Sequence, residues 1–456
     1  MSKFLFKDFD PVSAKAWKQQ IQFDLKGADY NETLIWKNLE GIDVKPFYNS
    51  EDYTAGFYKN SFPKNNWKAS QEIFIDDEKI ANRLALDAIN RGAEAIYFTS
   101  EKEFDITSTF NDFPFSDSTI YFNIKLLSEK FYKLLITFLS EKKATVFYNI
   151  DIIGNLAREG NWFSNLKEDH TILGNISKEF LNENIFSVDA TLYQNAGANM
   201  VQQLAYSLAH ANEYLNHFSK KEVQPTLTFK IAVGTNYFFE IAKIRALRNL
   251  YTLLAKEYNI NEDCHIVVIP SKRNKTIYDY NVNLLRTTTE YMSAILGGAN
   301  TVCSLAYDAI YHKSNEFGER IGRNQLLILK SESYFNSEDN PTEGSYYIES
   351  LTNQLTEKSL TLFKEIESNG GFLKLLKEGI IQRKIKESAE KEQQLFDDGA
   401  LVLLGTNKHP NPKDLMKNDL EMYPFVKMKP RKTLLEPIIE KRISEKLEKA
   451  RLENEK

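Results

Sequence analysis

Through the middle of the chain, short apolar runs alternate with longer stretches whose apolar positions recur every few residues. The runs are 94–100 (EAIYFTS), 118–124 (STIYFNI), 144–151 (ATVFYNID), 184–191 (NIFSVDAT), 227–235 (LTFKIAVGT), 265–271 (HIVVIPS) and 301–307 (TVCSLAY). Each is rich in β-branched or aromatic residues and reads as a buried strand. Between them, spacings such as Ile80, Leu84 and Ala88, or Leu126, Phe131, Leu134 and Phe138, read as helix. The alternation predicts parallel β-α-β units. A doubly wound sheet shares this rhythm, but so many units favour a (β/α)8 TIM barrel. Its eighth strand is either 345–351 (SYYIESL) or an early segment.

This pattern divides the chain into an N-terminal extension (1–75), the barrel (76–352) and a C-terminal helical segment (353–456). In the extension, Trp17, Ile21 and Leu25 predict a short helix stopped near Gly27. Phe4, Phe6 and Phe9 add apolar bulk that has no place inside a closed barrel. Near the other end, GTNKHPNP (405–412) breaks structure through its prolines. Ile439, Ile443 and Leu447 then share the spacing of a docked amphipathic helix.

Composition narrows the function. Among 456 residues, 58 Lys and Arg face 63 Asp and Glu, for a net charge of −5. Such a chain has no cationic excess with which to bind a nucleic-acid backbone. Asp8 and Asp10 interrupt the apolar start, and no apolar run approaches the roughly 18 residues that span a bilayer. A cytoplasmic protein without a membrane partner is expected. Cys264 and Cys303 belong to different strand segments and form no CxxC, so buried free thiols are expected. The six histidines form no ligand pair such as HExxH, and no metal site is expected. There is no GxxxxGK[ST] loop, and no GxGxxG follows a strand.

Barrel chemistry sits in the loops after the strands, which here hold Asp151, Asp189, Thr235, Asn236, Lys272, Arg273 and Asp308. Asp and Asn at such places equally cap the following helix. No nucleophile, base and orienting group can be assembled from them.

Longer segments carry a family likeness. VDATLYQNAGANMVQQLAYSLAHANEYL (188–215), GTNYFFEIAKIRALRNLY (234–251), NKTIYDYNVNLLRTTTEYMSAILGGANTV (274–302), GERIGRNQLLILKSES (318–333) and NPTEGSYYIESLT (340–352) resemble the cobalamin-dependent acyl-CoA mutases. The likeness is collinear from about residue 17 to 450. WKQQIQFDLKGADYNETLIW (17–36) is similar to the small subunit of two-chain methylmalonyl-CoA mutases.

Where the family's catalytic chains read GYHMQEAGA, with Tyr and His facing the substrate thioester, this chain reads ATLYQNAGA, with Thr191 and Leu192. Leucine has no proton to donate to a carbonyl that gains charge. Where those chains read RPWTIRQYAGF, the matching NNWKASQEI keeps Trp67 and Gln71 but places Ser70 at an Arg and Glu72 at the Tyr that assists cobalt–carbon cleavage. A third difference concerns the cobalamin domain, whose DxHxxG loop supplies the cobalt ligand: no His here has Gly three residues on. The helical matches, Glu240, Lys243, Arg245, Arg248, Arg286, Arg323 and Asn324, imply structure and subunit contact.

The resemblance therefore implies a non-catalytic small subunit, holding no cofactor, beside a large chain that carries adenosylcobalamin. Trp17, Ile21 and Leu25 would belong to the contact. The complex would interconvert methylmalonyl-CoA and succinyl-CoA. Two other readings remain open: a substrate chain with its own acyl-CoA site and a separate cobalamin chain, and an unrelated barrel hydrolase or lyase.

Overall fold

The computed structural model describes residues 10, 12–52, 62, 66–218, 225–427 and 430–455. Phe4, Phe6 and Phe9 lie outside them. Eight parallel strands close into a barrel: β1 (Lys68–Phe74), β2 (Ala95–Ser100), β3 (Thr119–Ile124), β4 (Thr145–Ile150), β5 (Asn184–Asp189), β6 (Leu227–Val233), β7 (His265–Pro270) and β8 (Thr301–Cys303). Closure comes from β1 against β8, with Lys68, Ala69 and Ser70 opposite Thr301, Val302 and Cys303. The expected (β/α)8 barrel is present, and its eighth strand is the early segment.

The alternative strand, 345–351, is instead the start of the helix Tyr346–Ser368. Ile348, Leu351 and Leu355 of that helix are buried, a spacing of three and four that suits a helix packed on one side. It lies over the helices Met200–Phe218 and Tyr237–Tyr258 as a second outer layer. The barrel's start also moves, from residue 76 back to Lys68.

The strands' outward faces are mainly apolar, as a parallel sheet covered by helices requires. Ile96, Phe98, Ile120, Phe122, Val146, Tyr148, Val188, Phe229 and Val268 join one core with the surrounding helices. Several helices start on side-chain caps: Asp77, Ser128, Asp151, Asn165 and Asn315 each accept a backbone N–H of the first turn. One expected stripe is rotated. The helix Glu78–Asn90 buries Ala81, Ala85 and Ala88, whereas Ile80 and Leu84 face outward. Leu134 is likewise exposed, while Phe131, Leu135 and Leu139 of its helix are buried.

Before the barrel, the helix Ala14–Asp24 ends at Leu25, and Lys26 and Gly27 take positive φ. No residue of this helix is buried. The following segment is tied down: Trp36 bridges Val44, Leu39 O accepts from Asn199, and Glu40 accepts the Met200 N–H at 2.6 Å. Burial pushes the Glu40 carboxyl up to about 7, against the pull of the Met200 and Val201 N–H groups.

The C-terminal part is less helical than expected. Helices Phe372–Lys377 and Ile380–Asp397 follow the long one, but among the described residues after that only Glu445–Asn454 is helical. Ile439 and Ile443 lie in an extended strap across the barrel mouth rather than on a helix. The strap's N–H groups at Leu434, Ile438, Lys441 and Ile443 donate to Gly160, Ala157, Asn195 and Arg273 carbonyls. Pro437 within the strap opposes a helix there. No helix among the described residues is long and apolar enough to cross a membrane.

Candidate functional site

In a barrel, alternate strand residues point inward and the reactive end is the one where the strands terminate. At the opposite end of this lumen, Tyr121 Oη meets His265 Nε2 at 2.8 Å and Thr301 Oγ1 at 2.7 Å. Lys68 Nζ donates to Thr119 Oγ1. Burial pushes the His265 imidazole down to about 3, helped by the Arg248 and Lys68 charges, so the ring is neutral at physiological pH.

Above this floor the lumen is filled with aromatic rings. Tyr97 stacks on Tyr121 and Tyr121 on Phe147, with centroids 5.7 and 4.9 Å apart. Val267, Ile269 and Cys303 complete the packing. Lys230 Nζ lies 4.3 Å from the Tyr97 ring centroid, a cation–π contact.

Charge crowds the upper end. Burial opposes the Lys230 charge, but Tyr97, Asp189 and Glu72 hold its ammonium above the usual range. Burial alone would raise Asp189; the charges of Lys230, Arg158 and Lys125 hold it at about 2. Arg158 reaches Asp189 at 3.5 Å and Glu440 of the strap at 2.8 Å, so the lumen is tied ionically to its cover. A void at the lumen's upper rim, lined by Tyr97, Asn149, Ser187 and Lys230 together with residues of the loops and helices after β3 and β4, measures about 40 Å³. Asn149 adopts φ 50°, and neither of its buried amide atoms has a hydrogen-bond partner among the described residues.

The sequence candidates separate in space. Glu72 contributes its charge to the Lys230 cluster, and Ser70 is buried opposite Cys303 on β8. Thr191 donates to Asp189 at the lumen's edge. Leu192 turns away into the main core, only 1% exposed. Asp151 caps the helix Ile152–Glu159 and also binds His210 Nε2 at 2.9 Å, Tyr214 Oη at 2.7 Å and the Asp189 N–H at 2.8 Å. Its role as a structural knot is thus visible. Asp308 joins His312 and Asn315, Arg273 pairs with Glu392, and Thr235, Asn236 and Lys272 remain at the rims of two surface pockets.

Six of the seven helical matches, all but Asn324, are buried and spent inside the chain. Lys243 binds Glu240, Gln194, Gln203 and the Ala232 carbonyl; Arg245 binds Glu349, Asn340 and Thr342; Arg286 binds Thr276, Asn283 and the Leu404 carbonyl. Only Asn324 of the set expected in structure or contact on the barrel helices is exposed. Gln71 and Arg323 pair with each other at 2.6 Å.

The lumen residues Tyr97, Asn149 and Lys230 were not among the sequence candidates. Lys230 had a legible signal: it is the single charge in the apolar run LTFKIAVGT.

Comparison with known proteins agrees with the segments that carry the likeness. The family described as methylmalonyl-CoA mutase matches residues 104–453. The methylmalonyl-CoA mutase small subunit of Porphyromonas gingivalis is 32% identical over 443 residues, covering 89% of this chain and 71% of that one. The chain belongs to the methylmalonyl-CoA mutase family. The Rhizobium meliloti methylmalonyl-CoA mutase is 27% identical, covering 89% of this chain and 65% of its own length. The chain thus spans roughly two thirds of these relatives. Among solved structures, dihydropteroate synthase from Thermus thermophilus aligns with 59% of the chain at 10% identity and a TM-score of 0.31.

Family membership raises the question of a cobalamin ligand. His265 lies at the far end of the lumen, His210 is bound by Asp151 and Tyr193, and His312 by Asp308. His170 and His217 sit on outer helices, and His409 is exposed in a loop. Among the described residues no histidine lines the upper lumen.

The Leu192 site makes a clear test. Leu192→His should not create isomerase activity in this chain, because the new donor would point into core rather than lumen. It should lower stability by about 2 kcal/mol, the scale for a poorly paired polar group in an apolar site. Urea unfolding and a coupled isomerase assay check both, and measurable turnover would contradict the placement.

Proposed function

We propose that this chain is the non-catalytic small subunit of a cytoplasmic methylmalonyl-CoA mutase complex, stabilising a large subunit that holds adenosylcobalamin and performs the isomerisation. The observation that carries this reading is the filled lumen. Small-molecule sites typically offer about 300–1,000 Å³, whereas the void at the lumen's upper rim is about 40 Å³, the scale of a single water, and Tyr97, Tyr121 and Phe147 are packed below it. An acyl group cannot enter past Tyr97, Tyr121 and Phe147 without displacing a packed aromatic stack. Leu192 offers the thioester carbonyl no proton, and Glu72 adds negative charge at the lumen's upper end. The same packing argues against a chain with its own acyl-CoA site and against a hydrolase that would work in this lumen.

The probe is the methylmalonyl thioester of pantetheine, which carries the reacting group without a nucleotide. Titrated into the purified chain in a calorimeter, it should give no saturable heat up to millimolar concentration. Adenosylcobalamin should likewise show no absorbance change with the chain alone. Micromolar binding of either would sink the non-catalytic reading.

A further inference from the structure

A second concavity lies outside the lumen, between the strap and the loops that follow β4, β5, β7 and β8. It is a bowl of about 790 Å³, well within the range of small-molecule sites. The seal beneath it is the Arg158 link between Asp189 and Glu440, so a ligand here would not touch the filled lumen.

Its charge runs against that of the whole chain. Seven Lys and Arg side chains line it against four Glu, on a protein of net charge −5. Every one of those carboxylates already has a cation: Glu159 has Arg431, Glu440 has Arg158, Glu436 has Lys386 and Glu445 has Lys449. Lys272, Lys427 and Lys441 are left without an ion pair among the described residues, all exposed and on the same bowl. Lysines gathered in a concave site raise the local concentration of anions.

The opposite wall is apolar. Tyr423 and Ile439 line the bowl yet are 56% and 51% exposed, while Phe425 and Ile438 behind them are buried. Ile439 follows the buried Ile438 in an extended strap, so alternation turns it into the bowl rather than into the core. An exposed ring beside unpaired lysines suits a planar base joined to a phosphate chain, through stacking on one side and point-charge contacts on the other.

We propose that this bowl binds a nucleoside polyphosphate. The site is independent of the non-catalytic reading of the lumen, since no group of the lumen's interior would contact the ligand. It would place an effector directly on the strap, and through Glu440 and Arg158 on the lumen's charged upper end.

The test is calorimetry on the full chain with ADP, adenosine and inorganic pyrophosphate. ADP should bind saturably, and adenosine or pyrophosphate alone should bind at least about tenfold more weakly, because each keeps only half of the contacts. The K272E/K441E variant should weaken ADP by roughly a hundredfold, and Tyr423→Ala by about tenfold. These positions are exposed, and an unchanged melting temperature confirms intact folding of each variant. A lack of ADP binding at millimolar concentration overturns the proposal. So does undiminished ADP affinity in K272E/K441E, and pyrophosphate binding as tightly as ADP would overturn the assignment to a nucleotide.

Discussion

Lys243→Met should lower the unfolding free energy by about 3–5 kcal/mol, the cost of stripping one partner from a buried ion pair. Lys243 and Glu240 have side chains 2% and 1% exposed, with Nζ 2.5 Å from Oε2. The ammonium also donates to Gln194 Oε1 at 2.7 Å, Ala232 O at 2.8 Å and Gln203 Oε1 at 3.0 Å. Methionine fills the same space but donates nothing, so all four acceptors lose a partner at once. Glu240 keeps only the Gly234 N–H at 2.8 Å and Gln194 Nε2 at 3.3 Å. Because the larger part of the loss is the stranded carboxylate, adding Glu240→Gln should recover part of it. The exposed pair Lys384 and Glu387, 2.8 Å apart, provides the contrast. Its removal should cost under about 1 kcal/mol, since water screens and replaces it. Urea unfolding of the variants decides the matter: a loss below about 1 kcal/mol for Lys243→Met would mean that the buried network is not organised as described.

The barrel was legible because seven of its strands are short runs rich in β-branched and aromatic residues, and such runs stand out from amphipathic helix without any knowledge of contacts. β1 was the exception. Its sequence KASQEIF looks like surface because Ser70 and Glu72 face a polar lumen while Gln71 is consumed by Arg323 on an outer helix. Local hydrophobicity carries no trace of either partner. SYYIESL failed in the opposite sense: its aromatic start mimics a strand, although its isoleucine and leucines are spaced for a helix. In the strap, Ile439 and Ile443 imitate a helical face with Leu447 of the following helix by coincidence of spacing, and only the backbone bonds to Gly160, Ala157, Asn195 and Arg273 reveal an extended path. The candidate site was legible as a departure from family residues rather than as chemistry. Ser70 and Glu72 lie on β1 and Thr191 and Leu192 follow β5, whereas the lumen is filled by a packing arrangement of Tyr97, Tyr121, Phe147 and Lys230. Residues from β2, β3, β4 and β6 meet there, and their meeting depends on barrel closure, which no single segment encodes.

The N-terminal extension carries the remaining prediction, which concerns assembly. Deleting residues 1–27 should reduce capture of the large subunit by at least roughly a hundredfold, since anchors of this kind concentrate binding energy in a few aromatic residues. The cut is placed after Gly27 because the chain beyond it belongs to the barrel's own cover: Tyr30 is buried, Trp36 bridges Val44, and Glu40 caps the helix Met200–Phe218. The helix Ala14–Asp24 stands differently. It buries no residue, and Trp17 and Phe23 are 55% and 79% exposed. Its ties to the other described residues are slight: Trp17 beside Phe47, Lys18 over the Tyr30 ring and one N–H from Ala14 to Glu51. Two large aromatic side chains left in water on one short helix are costly unless something covers them. A permanent subunit interface, typically upward of about 2,000 Å², would do so. The truncated chain should keep its helical circular dichroism and its melting temperature, because none of the described residues removed belongs to the barrel core. Trp17→Ala combined with Phe23→Ala should weaken capture by about tenfold or more on the same reasoning. If the truncated chain retains the large subunit with undiminished affinity, the helix is not the clasp, and the contact must lie on exposed barrel helices such as the one bearing Asn324.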